Sequence, residues 1–212
     1  MNEDQLKFKN YLIKHNLFSQ DKFEKFEQYA NLLLKKNKQL NLISKNSCQH
    51  LWTRHFLDSI LIQEQLNLKK KTVVDFGSGA GFPSIPIKIL YPTFNLYLIE
   101  SIRKKTLFLK YLIEKLDLSS CKIIRNRFEN ISNLSSNSCD YILVRAVNLN
   151  KNYFKKAFQL LAHKGKIVLY RGAAQDDNIV KKLPSDIDYE LNKINIKDST
   201  LGESKFITLG IK

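Results

Sequence analysis

The segment Thr72-Val73-Val74-Asp75-Phe76-Gly77-Ser78-Gly79-Ala80-Gly81-Phe82-Pro83 concentrates the residues of this chain that could cradle a ligand. β-forming residues lead into three alternating glycines, and the pattern predicts a helix beyond them. Pro83 is expected in its first turn, where the missing N–H does no harm. Glycine lets the backbone turn sharply and approach a bound molecule with no Cβ between them. A dinucleotide site of the GxGxxG kind uses a third glycine for close helix packing beside a pyrophosphate. Here Phe82 stands in that place, which disfavours a nicotinamide enzyme. Two carboxylates frame the turn instead: Asp75 before it, and Glu100 at the end of the next predicted strand. Glu100 can accept both hydroxyls of a ribose, and Asp75 suits a ligand carrying an ammonium and a sulfonium. With Gly77, Gly79, Gly81 and Phe82 as the cradle, the residues point to S-adenosylmethionine.

The arginines supply the second set of candidates. Of 35 basic residues only six are arginine: Arg54, Arg103, Arg125, Arg127, Arg145 and Arg171. In so lysine-rich a chain an arginine is expected where its planar fork of donors is needed. Four of the six fall at or beyond predicted strand ends, or beside the following helix. That is the edge of an open α/β sheet where ligands bind. Arg145 closes the apolar run Val144-Arg145-Ala146-Val147, so it belongs either to a ligand cleft or to a structural ion pair. Phe128, in Arg127-Phe128-Glu129, either contacts an adenine or joins the core. Arg54 and Asp58 are four residues apart and could simply pair along a helix.

These residues need a scaffold, and the periodicity supplies one. Residues 1–70 read as helical: an apolar stripe begins at Leu6, Tyr11, Leu12 and Ile13, and a second helix starts at Ser19 with Phe23, Phe26, Tyr29, Ala30 and Leu33 at helical spacing. The run Lys35, Lys36, Lys38 is expected between the second helix and a third spanning Leu51 to Leu66. From Lys71 onward strands alternate with helices, predicting βαβ units. Strands are expected at Thr72–Phe76, Asn95–Glu100, Lys122–Arg125, Tyr141–Arg145 and Lys166–Tyr170, followed by a hairpin of Tyr189–Ile196 and Phe206–Ile211. Helices are expected at Lys104–Leu116, Asn152–Ala162 and near Asp176–Lys182. The fold class is therefore α/β and Rossmann-like: a seven-stranded, mostly parallel sheet with an antiparallel last strand. Residues 1–70 form a helical cap on a ligand-binding core of residues 71–212, together one compact unit.

The bulk properties narrow the class. A net charge of +15 attracts polyanions, although lysine-rich composition alone would raise it. No apolar run approaches the roughly 20 residues of a membrane helix, and the amino terminus lacks the core of a secretory signal. Three scattered cysteines read as reduced thiols of a cytoplasmic protein, and the four histidines follow no metal-ligand spacing. A monomer is the default expectation.

With these residues assembled, the chain resembles the bacterial 16S ribosomal RNA guanine-N7 methyltransferase G family, also called glucose-inhibited division protein B. The resemblance runs nearly end to end. It rests on Asn37-Lys38-Gln39-Leu40-Asn41-Leu42-Ile43, on Arg54-His55-Phe56-Leu57-Asp58-Ser59 and on Asp75 through Pro86. Glu100-Ser101 with Lys104-Lys105, Arg127-Phe128-Glu129 and Arg145-Ala146 extend it. It implies a class I, S-adenosylmethionine-dependent methyltransferase acting on N7 of a guanine in the 530 loop of 16S rRNA, within the small ribosomal subunit. Gly77, Phe82, Phe128, Glu129 and Arg145 match positions associated with cofactor binding. Arg54, His55, Asp58, Lys104, Arg127 and Arg171 match positions expected to face RNA. From these, Arg145, Arg127, Arg171 and Asp58 are the candidates for positioning the base and steadying charge during transfer. Two positions depart from the pattern: Lys36 replaces a usual Trp, and Tyr170-Arg171-Gly172 replaces Leu-Lys-Gly. Methyl transfer to a small molecule or protein, and RNA binding without catalysis, are the alternatives.

Overall fold

The computed structural model describes residues 1–171 and 179–212. Helix α1 (Glu3–Lys14) starts at Asn2, whose side chain accepts from the Gln5 N–H at 2.8 Å. Helix α2 (Gln20–Leu40) is capped in the same way by Ser19 and ends at Asn41, in the left-handed conformation at φ 49°. The run Lys35–Lys36–Lys38 therefore lies inside α2 and not beyond it. Lysine is a good helix former, and the first residue able to reverse the backbone cheaply is Asn41.

The single helix expected from Leu51 to Leu66 is broken. A short helix α3 (Lys45–Cys48) precedes a π-helical turn at Trp52–Leu57, one α-turn α4 (Asp58–Ile60) and a 3₁₀ turn at Leu61–Gln65. The π turn begins where Asp4 of α1 accepts from the N–H groups of Trp52 and Thr53 and from the Thr53 hydroxyl. A wider turn re-aims the side chains that follow, which is why such turns gather at functional sites.

Strands β1 (Thr72–Phe76), β2 (Asn95–Ile99), β3 (Cys121–Ile124), β4 (Cys139–Arg145), β5 (Leu161–Arg171), β6 (Tyr189–Asp198) and β7 (Gly202–Ile211) form one sheet in the order β3-β2-β1-β4-β5-β7-β6. The first five are parallel, and β7 runs antiparallel between β5 and β6. The order reverses between β1 and β4, where Phe76 lies opposite Val144. Such a switch point splays the following loops apart and opens a crevice at the strand ends. Helices α5 (Ser84–Leu90), α6 (Arg103–Lys115) and α7 (Lys151–Leu160) cross between strands. The expected helix near Asp176–Lys182 is a 3₁₀ turn at Val180–Lys182; residues 176–178 lie outside the described residues.

Alternate residues of β1 feed opposite cores, as strand geometry requires. Val73 belongs to the core that also holds Phe8, Phe26, Trp52 and Phe56 of the amino-terminal helices, whereas Val74 belongs to the one that holds Phe128, Tyr153 and Phe154 on the other face. The amino-terminal helices thus share one core with α5 and α6. No described helix is long and apolar enough to cross a membrane.

Candidate active site

The turn after β1 is pinned from two sides. The N–H groups of Gly77 and Ser78 donate to the Ile99 carbonyl at the end of β2, at 2.9 and 3.1 Å. Tyr29 of α2, wholly buried, donates its hydroxyl to the Ala80 carbonyl at 2.6 Å. All three glycines have positive φ, at 70°, 53° and 100°. A Cβ on Gly77 would sit 2.7 Å from the Val147 side chain, and one on Gly81 would sit 2.7 Å from the Tyr29 hydroxyl. A Cβ on Gly79 meets nothing closer than 3.6 Å. Gly77 and Gly81 are therefore required by packing, while Gly79 keeps a hollow open. Pro83 stands one residue before α5, after a cis peptide, and not inside the helix.

Beneath the turn lies a groove of about 350 Å³, lined by Leu42, Ile43, His55, Ser78, Gly79, Phe82, Lys105, Arg145 and Ala146. That volume is in the range of small-molecule sites. Glu100 is held at its side: its carboxylate accepts from the Gly79 N–H at 3.0 Å and the Ile102 N–H at 2.8 Å. An ionised carboxylate offers about four acceptor positions, so capacity remains for ligand hydroxyls.

Asp75, expected to face the ligand, does not line this groove. It shares a face of β1 with Val73, is completely buried, and accepts a short hydrogen bond from Ser84 at the start of α5. Burial pushes its carboxyl up to about 7, partly countered by Ser84. Its Oδ1 has no hydrogen-bond partner among the described residues. Asp75 ties β1 to α5 below the turn, with one acceptor left over.

Phe128 belongs to the core. Its ring packs against Phe76 at 4.5 Å and Tyr153 at 4.7 Å, out of reach of a stacked adenine, because the 3₁₀ turn at Phe128–Asn130 folds it under the sheet edge. Arg127 and Glu129 remain exposed on either side.

Phe82 takes the place of the missing third glycine and organises the groove wall. It lies between Tyr29 (5.4 Å, 14°) and His55 (4.8 Å, 29°), with the Arg145 guanidinium 5.9 Å from its ring centre. Both His55 ring nitrogens are buried without a hydrogen-bond partner. Burial, helped by Arg145 and Arg54, pushes its pKa down to about 3. His55 is thus a neutral wall and not a cation for RNA.

Arg145 is the most constrained cation of the site. It donates to Asp58 Oδ2 at 2.8 Å, to the Arg54 carbonyl at 2.6 Å and to Ser59 Oγ at 3.4 Å. Asp58, in α4, pairs with Arg145 at the end of β4, so the helical Arg54–Asp58 pair does not form. Burial raises the Asp58 carboxyl, opposed by Arg145 and by the Ser204 hydroxyl at 3.3 Å. On the far side of Arg145 a second groove of about 210 Å³ is lined by Asp58, Arg145, Ala146, Tyr170, Arg171, Lys205 and Phe206. Arg145 and Ala146 border both grooves. The other two residues expected to face RNA point elsewhere. Arg54 lines a separate hollow with Lys7 and His50, and Lys104 faces a groove between α2 and α6. The sequence pattern put Tyr29 only on an apolar helix stripe and Lys105 only within the Lys104-Lys105 motif, and it gave no signal for Lys205.

The residues fit a nucleoside with a charged amino-acid tail. Gly79 leaves a hollow that a side chain would fill, and Glu100 has acceptors to spare beside it.

The profile of a family described as rRNA small subunit methyltransferase G matches residues 22–203. A ribosomal RNA small subunit methyltransferase G from Mycoplasma capricolum is 33% identical over 193 residues, covering 91% of this chain and 81% of the relative. The protein of that name from Mesoplasma florum is 30% identical, covering 85% and 77%. Among solved structures, a tRNA (m1A58) methyltransferase from Aquifex aeolicus superposes with a TM-score of 0.56 at 16% identity, covering 73% of this chain and 68% of that one. A precorrin-6y C5,15-methyltransferase from Geobacter metallireducens gives 0.54 at 15% identity, covering 74% and 87%. At such identities the structural likeness speaks for the fold: a class I methyltransferase sheet. By sequence, from the second helix to the last hairpin, the chain belongs to the rRNA small subunit methyltransferase G family.

Proposed function

We propose that this protein transfers a methyl group from S-adenosylmethionine to N7 of a guanine in the 530 loop of 16S rRNA, acting as a cytoplasmic monomer. The observation that carries this reading is that two grooves meet at Arg145 and Ala146. One is lined by the glycine turn, which Glu100 supports from behind through the Gly79 N–H; the other is bordered by Arg145, Arg171 and Lys205. The donor belongs in the first and the base in the second.

Bound in the first groove, S-adenosylmethionine supplies an electrophilic methyl carbon on a sulfonium. The Gly77–Phe82 backbone would hold its nucleoside, with Glu100, hydrogen-bonded to the Gly79 N–H, as the acceptor for its hydroxyls. Guanine N7 already carries an exposed lone pair, so no side chain has to remove a proton. Alignment is then the main contribution, and correct placement of two reactants can supply roughly 7–11 kcal/mol. A neutral His55 beside Phe82 does not repel a sulfonium. Arg145, anchored by Asp58 and the Arg54 carbonyl, keeps its fork fixed while its charge is balanced. Arg171 from β5 and exposed Arg127 would steady phosphates or the guanine O6, and the base would be splayed out of its loop to enter. Asp58 sits where a positive charge passing to the purine could be stabilised.

Incubating the protein with small-subunit particles and methyl-labelled cofactor, then mapping the labelled base, tests this. Label on one guanine of the 530 loop, with strand scission characteristic of N7 methylation, is expected. Label on another base or atom would overturn it.

A further inference from the structure

The outward face of α6 carries the wrong residues for a face that meets only water. Lys104, Leu107, Tyr111 and Lys115 follow one another along one side of the helix. Leu107 is 57% exposed and Tyr111 36%. Across from them α2 presents Lys36 and Leu40, and the two helices enclose a groove of about 310 Å³. The Lys36 ammonium lies 5.9 Å and the Lys115 ammonium 5.8 Å from the centre of the Tyr111 ring. The solvent face of an amphipathic helix is normally polar, and exposed apolar surface rimmed by charge marks a partner site. Among the described residues no acidic side chain lines this groove, so it complements a ligand that is anionic and has flat apolar surfaces.

The groove also adjoins the one under the glycine turn. Lys104 lines it, while the next residue, Lys105, lines the groove under the glycine turn. Consecutive helical residues diverge by about 100° at 3.6 residues per turn, so the first turn of α6 is the ridge between the two. A strand whose target base enters the groove beyond Arg145 would pass over the donor groove and then that ridge.

We propose that the α2–α6 groove is a second RNA site, where a single-stranded stretch flanking the target stacks a splayed base on Tyr111 while Lys36, Lys104 and Lys115 hold its phosphates. Stacking on an aromatic ring with lysines alongside is how single strands are gripped without sequence readout. The inference rests on the reading of the chain as an rRNA methyltransferase.

The test measures affinity for a 16S rRNA fragment containing the 530 loop, the kcat and KM of methyl transfer to it, and cofactor affinity by calorimetry. Tyr111→Ala is expected to weaken RNA binding and raise the RNA KM by about tenfold, leaving kcat at saturating RNA and cofactor affinity unchanged. Tyr111→Phe keeps the ring and should bind as wild type does. Lys36→Gln and Lys115→Gln should each lower the slope of log affinity against log salt by about 0.7. Wild-type affinity in Tyr111→Ala overturns the proposal. So does an equal loss in Tyr111→Phe, or a loss seen only with assembled subunits, which would make the occupant a protein. Should the wild type bind the fragment and the cofactor yet label no RNA, the methyltransferase reading fails, while the binding comparison still decides the groove.

Discussion

The groove beneath the glycine turn is shaped by backbone and close packing, whereas its neighbour across Arg145 is shaped by charged side chains. In the first, Tyr29 and Val147 leave no room at Gly81 and Gly77, and neutral His55 stacks on Phe82. In the second, Asp58 and Arg145 pair at 2.8 Å, each about a fifth to a quarter exposed, with Arg171 and Lys205 beside them. A wall held by packing is damaged by volume. A wall held by ion pairs is damaged by loss of charge and responds to salt and pH, since pairs with solvent access are screened. The contrast suits a small donor of fixed shape on one side and a flexible polyanion on the other.

The contrast can be broken first at Gly81. Gly81→Ala puts a methyl group against Tyr29 and Ile85 at a φ of 100°. Crowding and strain of that kind cost about 3 kcal/mol together, which urea unfolding should register. Wild-type stability would mean the turn can move away from α2. Next comes Arg145→Ala, which should lower the midpoint of unfolding by leaving Asp58 without its partner and, in the protein that remains folded, cut methyl transfer about a hundredfold, the typical cost of losing one preorganised donor. Activity within a few-fold of wild type would remove Arg145 from the reaction.

A smaller effect belongs to Asp75. Its native pKa of about 7 lies above the usual carboxylate value, so between the two the folded chain holds a proton that the unfolded chain has released. Stability from this group is therefore complete at low pH and lost as pH rises through about 7. Asp75→Asn keeps an acceptor for Ser84 without the charge. The variant should gain thermal stability over the wild type at pH 8 and show little difference at pH 4. An equal difference at both pH values would show that Asp75 is ionised throughout.

What could be read in the sequence follows the range of the interactions. The β1–turn–α5 unit and the seven strands were legible because they rest on local period and glycine chemistry: β1 spans Thr72–Phe76 as expected, and the other strands shift by a few residues. The π turn at Trp52–Leu57 was not, because its cause is Asp4, far away in sequence and brought close only by packing of α1. The Asp58–Arg145 pair was hidden for the same reason, behind a plausible local partner, Arg54. Phe128 and Asp75 mark another limit. A strand-end residue can turn toward ligand or core, and only the neighbouring elements, Tyr153 for one and Ser84 for the other, decide which.

The account stands on the hollow at Gly79, the one glycine of the turn whose absent side chain leaves space and not a clash. Calorimetric titration of the wild type and of Gly79→Ala with S-adenosylmethionine tests it directly. The wild type should bind one equivalent, and the variant, still folded, should lose most of that affinity. A flat titration of the wild type, or equal affinity in the variant, would contradict the placement of the donor beneath the turn.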